Sequence, residues 1–292
     1  MANKIINGFN CRYEISGDNN AKETILFLNG IASPIESWNN MVPYYTDDYR
    51  ILRLDYRGQW FSEVTPPPYS FLNHADDIKT FLDEMNCSKT HIISTSLGGE
   101  IAMHLAIKHP EKVQSLTVIA SVSEIDKIMI RQVDRWKFAA QKAVDMLDAN
   151  PESKHAEILK EIGHNFLDNA IPEMYGNRFV KDSYEIIQAR DKVFRETATR
   201  NFYQGHVYLC DMFYKLEKEE RLTEHLHKIQ CPSLIIAGGK DILKPPFYSE
   251  TIAKNIPNAE LVIFPDAGHA VAVEKCRLIA NLAKGIIDKT AK

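Results

Sequence analysis

The chain has 292 residues, 45% of them hydrophobic, and a formal net charge of -4 at pH 7. That length and apolar content allow one large domain or two smaller ones with a sizeable core, while the weak, scattered charge provides neither a basic footprint for nucleic acid nor a polybasic membrane patch. The cysteines Cys11, Cys87, Cys210, Cys231 and Cys276 are far apart, odd in number and without metal-ligand spacing; they are expected to be reduced thiols of a cytoplasmic protein, with no disulfide framework, no zinc site and no cofactor.

Residues 1–17 lack a basic segment followed by an apolar one, and no apolar run elsewhere reaches bilayer length, which argues against secretion and membrane insertion. The first predicted strand is Ile25 to Leu28, followed by a loop opening Asn29-Gly30-Ile31. A second strand, Ile51 to Leu54, leads into Asp55 to Ser62, and Pro66 to Pro68 mark a turn before a helix over Phe71 to Met85. His91 to Ser94 is a third strand, ending in the string STSLGG (Ser94 to Gly99) before a helical pattern, Glu100 to His109, and a fourth strand, Val113 to Ala120. These strands are short, β-branched and nearly continuous in their apolarity, as buried parallel strands are.

Beyond Val122 the alternation stops. Helical patterns follow one another at Glu124 to Ala149, Glu152 to Leu167, Ser183 to Gln204 and Val207 to Lys218. Strands resume at Ser233 to Ala237 and Leu261 to Phe264, with helices over Phe247 to Ile256 and Val271 to Ile287. The pattern predicts a doubly wound, mostly parallel α/β core (1–121 and 230–292) interrupted by a helical cap (122–229). An insertion placed there roofs the strand C-termini. Its apolar side chains, Trp136, Phe166 and Met212 among them, are candidates to line an acyl pocket or to pack helix on helix; Trp60 is a candidate for the pocket rim or for packing.

STSLGG lies between a strand and a helix, so it reads as a sharp turn presenting Ser96 as a nucleophile, with small residues, Ser94 and Gly98, on either side. A hydroxyl needs a base to take its proton. His269, on the glycine-containing loop after Leu261 to Phe264, fits that need, and Asp241, after the Gly238-Gly239-Lys240 turn, is the carboxylate to hold its other nitrogen. Asp266 is nearer in sequence but is expected to shape the loop. Backbone N–H groups of Leu97, at the helix start, and of Ile31, after Gly30, are the candidate oxyanion donors.

The segments LFLNGIAS from Leu26, LDYRGQWFS from Leu54, STSLGG from Ser94, and GGKD and DAGH ending at Asp241 and His269 resemble the α/β-hydrolase superfamily, and the order Ser96, Asp241, His269 is that of its triad. Within it the chain looks most like capped serine hydrolases such as 3-oxoadipate enol-lactonases and carboxylesterases. The family's His-Gly pair falls on Asn29-Gly30, the second glycine of its DxRGxGxS segment on Trp60, and its first elbow glycine on Ser94. The resemblance implies a serine esterase, lactonase or thioesterase acting on a small, apolar acyl substrate. C–C bond hydrolysis, acyl transfer or a lyase step through the same residues, and a non-catalytic ligand-binding role, are the alternatives.

Overall fold

Alternate residues of the central strands go to opposite faces of one sheet, and each face carries its own apolar layer. The computed structural model describes residues 1–290; the side chains of residues 164–172, Phe166 included, lie outside the description. The sheet strands are β1 (Ala2–Ile6), β2 (Phe9–Gly17), β3 (Thr24–Leu28), β4 (Arg50–Leu54), β5 (Thr90–Thr95), β6 (Val113–Ile119), β7 (Ser233–Gly238) and β8 (Glu260–Phe264), in the order β1-β2-β4-β3-β5-β6-β7-β8. β1 and β2 are antiparallel and join the sheet against β4; every other pairing is parallel.

Leu26 and Leu28 face the helices α1 (Phe71–Glu84) and α2 (Leu97–Lys108), whereas Ile25 and Phe27 face Trp38, Tyr45 and the C-terminal helices. This is the expected α/β architecture. Two features of it depart from the sequence reading. The hairpin β1–β2, turned at Asn7-Gly8, was not predicted, because its outer strand is largely exposed and lacks a continuous apolar run. The C-terminal helix is also broken at Lys275 into α9 (Val271–Glu274) and α10 (Cys276–Asp288), while α8 (Pro246–Asn255) follows β7 as expected.

Five α-helices separate β6 from β7: α3 (Lys127–Asp148), α4 (His155–Met174), α5 (Asn177–Asp182), α6 (Tyr184–Thr197) and α7 (Arg200–Lys215). The break between the last two falls at Ala198-Thr199, earlier than the apolar periodicity implies. Thr199 causes it by accepting a hydrogen bond from the N–H of Phe202 at 3.2 Å, a side-chain cap that starts a new helix. These helices bury a cluster of their own, with Ala140, Val144, Leu147, Phe194, Phe202 and Val207 at its centre.

The strand order reverses at β3. The next strand, β4, lies on one side of it and β5 on the other, so the loops after β3 and β5 diverge from neighbouring strand ends. Such a switch point is where an open α/β sheet forms its crevice.

Candidate active site

Ser96 is the pivot between β5 and α2, and its backbone is forced into φ 50°, ψ -121°. A non-glycine residue there carries strain of about 1–3 kcal/mol, so the surroundings must hold it. They do so through its N–H, bonded to the Ile119 carbonyl at 2.9 Å, and through its carbonyl, which accepts from Ser121 Oγ at 3.2 Å. Gly98 lets α2 approach: a Cβ there would lie 2.3 Å from the Leu28 carbonyl oxygen of β3. Ser94 fits two residues before Ser96 because its hydroxyl has a use, donating to the Thr117 carbonyl at 2.8 Å inside the sheet.

The loops after β7 and β8 bring two further groups to this turn. Asp241 is buried, and its Oδ1 accepts from the N–H groups of Leu243 (2.9 Å) and Lys244 (2.8 Å), which leaves Oδ2 for His269 Nδ1 at 2.8 Å. His269 Nε2 lies 3.2 Å from Ser96 Oγ. With Nδ1 protonated against the carboxylate, Nε2 is the acceptor facing the hydroxyl. Asp266 takes no part; it pairs with Lys275 at 2.8 Å, and that bond holds its carboxyl below the usual range. The His269 loop is clasped by Glu274, whose Oε1 accepts from the N–H of Gly268 (2.9 Å) and of Gly176 (3.0 Å), while Ala270 N–H donates to the Met174 carbonyl.

Leu97 is the first residue of α2, so its N–H stands outside the intrahelical ladder, next to Ser96. Ile31 lies in the loop after β3, beside Gly30, whose hypothetical Cβ would sit 3.5 Å from Ser96 Cβ. Beneath this loop Asn29 takes the place of the family histidine. Its amide donates to the Leu54 carbonyl at 3.1 Å and accepts from Trp38 Nε1 at 2.7 Å. Asp55, below it, is fully buried; burial pushes its carboxyl up to about 7 against the opposing pull of Arg12 at 2.8 Å.

Ser96 and His269 open on a cavity of about 140 Å³. A closed apolar cavity of comparable volume holds a benzene ring, which sets the scale of the group it accepts. Its apolar walls include Ile31, Trp136, Met174, Leu243 and Val273, and four insertion helices reach it through Trp136, Met174, Arg190 and His206. Of the candidate pocket side chains Trp60, Trp136 and Met212, the first and last are elsewhere. Met212 is wholly buried on the α7 face that packs into the main core. Trp60 is inserted between Phe194 (ring centroids 5.4 Å) and Phe202 (4.5 Å), filling the insertion's core and not the cavity.

Sequence reasoning missed the cavity's polar side chains. Arg190 is half-buried on the wall and has no hydrogen bond or ion pair among the described residues, whereas Glu173 is bonded to Arg135. Burial brings the His206 imidazole down to about 4, so it is neutral at pH 7. No periodicity marks these positions, since each sits on a helix whose cavity-facing side depends on its neighbours. Among the described residues no cluster of three or more His, Cys, Asp or Glu side chains is placed to hold a metal ion, and no helix is long and apolar enough to cross a membrane.

The fold agrees with the comparison to known proteins. Residues 23–275 match the family described as the alpha/beta hydrolase fold. The chain belongs to that family and is an enzyme of the hydrolase class. It is similar to proline iminopeptidase PfmaB of Pestalotiopsis fici, 27% identical over 97% of this chain and 98% of that protein. Among solved structures it superimposes on an alpha/beta hydrolase from a Medee basin deep-sea metagenome library (TM-score 0.84, 24% identity, 98% and 97% of the two chains). It also superimposes on the enol-lactonase of Burkholderia xenovorans (TM-score 0.81, 20% identity, 98% and 100%). At these identities the two structures establish the fold.

Proposed function

We propose that the protein is a serine hydrolase that cleaves a carboxylic ester, lactone or thioester of a small acyl group through an acyl-enzyme on Ser96. The observation that carries this reading is the continuous chain from Asp241 through His269 to Ser96 Oγ, opening into the apolar cavity. His269 Nε2 takes the hydroxyl proton as Ser96 attacks the acyl carbon, and Asp241 stabilises the imidazolium that forms. The N–H groups of Leu97 and Ile31 receive the charge developing on the carbonyl oxygen. His269 then protonates the leaving group, and water resolves the acyl-enzyme by the reverse sequence. The helices of residues 122–229 act as a cap whose inner wall selects the acyl group.

Charge on the cavity wall separates this reading from an aminopeptidase like the fungal relative's name. Among the described residues of the wall, the carboxylate of Glu173 is already paired with Arg135, whereas the Arg190 guanidinium has no ion pair. A neutral acyl group, or one bearing a carboxylate, is the better match.

The test is turnover of a panel of short esters, lactones and thioesters, with and without a terminal carboxylate, by wild type and by Ser96→Ala, together with labelling by a fluorophosphonate. Turnover and labelling should both be present in wild type and fall by at least about 10³-fold in the variant. Equal turnover in both proteins would sink the reading.

A further inference from the structure

Among the described residues the turn after β4 makes no hydrogen bond to Ser96, Asp241 or His269, yet it grips the loop that carries Ile31. Tyr56 hydroxyl donates to the Asn29 carbonyl at 3.2 Å, and Gln59 Nε2 donates to the Gly30 carbonyl at 2.7 Å and the Ile31 carbonyl at 3.1 Å. Three successive carbonyls are therefore held by this turn, and the Gly30 carbonyl also accepts from the Ser33 N–H of its own loop at 3.1 Å. In a trans peptide the carbonyl of one residue and the N–H of the next point in opposite directions. Fixing the Gly30 carbonyl toward Gln59 thus turns the Ile31 N–H away from Gln59, in a loop whose Gly30 lies against Ser96 and whose Ile31 lines the cavity.

Gln59 is equipped to hold that plane. It is 1% exposed, and its Oε1 accepts from Tyr56 N–H at 3.3 Å, which settles which end of the amide faces the loop. The turn is closed by Gln59 N–H on the Tyr56 carbonyl (2.9 Å) and Ser62 N–H on the Gln59 carbonyl (3.0 Å). The next residue is Trp60, in the left-handed region at φ 46° and locked between Phe194 and Phe202. Where the family has a glycine, this chain has an aromatic anchor that holds the Gln59 turn against the insertion.

We propose that Gln59 is a positioning residue for the oxyanion site: it orients the Gly30–Ile31 peptide so that the Ile31 N–H is aimed at the reacting carbonyl oxygen before substrate arrives. The inference rests on the serine-hydrolase reading. An aimed donor acts mainly in the transition state, so its loss lowers kcat and leaves KM nearly unchanged. Displacing a reacting contact by about 1 Å costs on the order of 10²-fold.

The experiment compares wild type, Gln59→Met and Gln59→Glu on one short ester, with a boronic acid as mimic of the tetrahedral intermediate. Gln59→Met keeps the volume and removes both donors; kcat should fall about 10- to 100-fold with KM within about threefold, and boronate affinity should fall by the same factor as kcat/KM. Gln59→Glu supplies a readout that a packing role would not move. Its ionised carboxylate has no proton to donate to the Gly30 carbonyl, so its activity relative to wild type at the same pH should recover as the pH is lowered and the acid form donates one bond. A folded Gln59→Met with wild-type kcat and boronate affinity, a loss confined to KM, or a pH-independent Gln59→Glu ratio would each overturn the proposal. Ser96→Ala is run alongside. If it retains wild-type turnover, the serine-hydrolase reading and this inference fall together, whereas its loss of turnover with normal Gln59→Met kinetics overturns the Gln59 inference alone.

Discussion

The sheet edge and the helical insertion meet at one cavity but are held by different forces. At the edge, hydrogen bonds involving backbone atoms position the groups of the proposed reaction: Ile119 on Ser96, Leu243 and Lys244 on Asp241, Glu274 on the His269 loop, Gln59 beneath Ile31. In the insertion, side-chain packing predominates, with Phe194 and Phe202 meeting Trp60 of the β4 turn edge-on or tilted among small and aliphatic residues. Directional bonds tolerate little displacement, whereas apolar contacts can be repacked at modest cost. The contrast fits a division of labour in which the edge performs the chemistry and the insertion shapes the ligand space.

The sharpest way to isolate the edge is Asp241→Asn. Because Oδ1 is held by two backbone N–H groups, the new amide oxygen stays there and its NH₂ faces His269 Nδ1. The imidazole must then carry its proton on Nε2, the nitrogen needed to accept from Ser96. A loss of about 10³- to 10⁴-fold in kcat is expected, with an unchanged melting temperature. Activity within tenfold of wild type would show that this tautomer does not matter.

Gly205→Ala strikes the junction. Gly205 lies on α7 where a Cβ would come within 1.8 Å of the Gly58 carbonyl oxygen, so the helix or the turn must move. Destabilisation of about 3 kcal/mol is expected in urea denaturation. Since Gly58 precedes Gln59, kcat of the folded fraction should fall as well. Destabilisation without that fall would mean that insertion and edge respond independently.

The smallest effect expected is a pH dependence shared by both regions. Burial depresses His206 in the insertion and His104 in the core to about 4, each below its ordinary value. Their native forms bind fewer protons than the unfolded chain, so the stability each contributes is complete above about pH 6.5 and is lost as pH falls toward 4. Each should account for about 2 kcal/mol between pH 7 and 4.5, read as the shift in urea midpoint that His206→Gln or His104→Gln removes. A midpoint equally pH-sensitive in the variants would remove the imidazoles as its cause.

Much of this arrangement could be read from the chain. Five of the parallel strands, β3 to β7, were visible as apolar runs because both of their faces are buried, the half-exposed edge strand β8 by its short Leu-Val-Ile-Phe run, and Ser96, Asp241 and His269 because sharp turns at strand ends demand small residues and glycines nearby. Asn7-Gly8 is a hairpin signal, but the outer strand it joins is too exposed to show a continuous apolar run. For Trp60 and Met212 the sequence leaves pocket and packing open, because an apolar residue on an amphipathic helix or turn satisfies both equally and composition does not separate the two.

The sequence by itself determined what depends on neighbours within a few residues, namely strand, turn, helix start and the order in which reactive side chains reach strand ends. Tertiary structure alone decided which helix faces close the cavity, that Arg190 and His206 belong to it, and that Gln59 lies under Ile31. The physical reason is range. Turn and strand preferences are local properties of the backbone, whereas a cavity wall and an aimed N–H arise where segments dozens of residues apart are packed into contact.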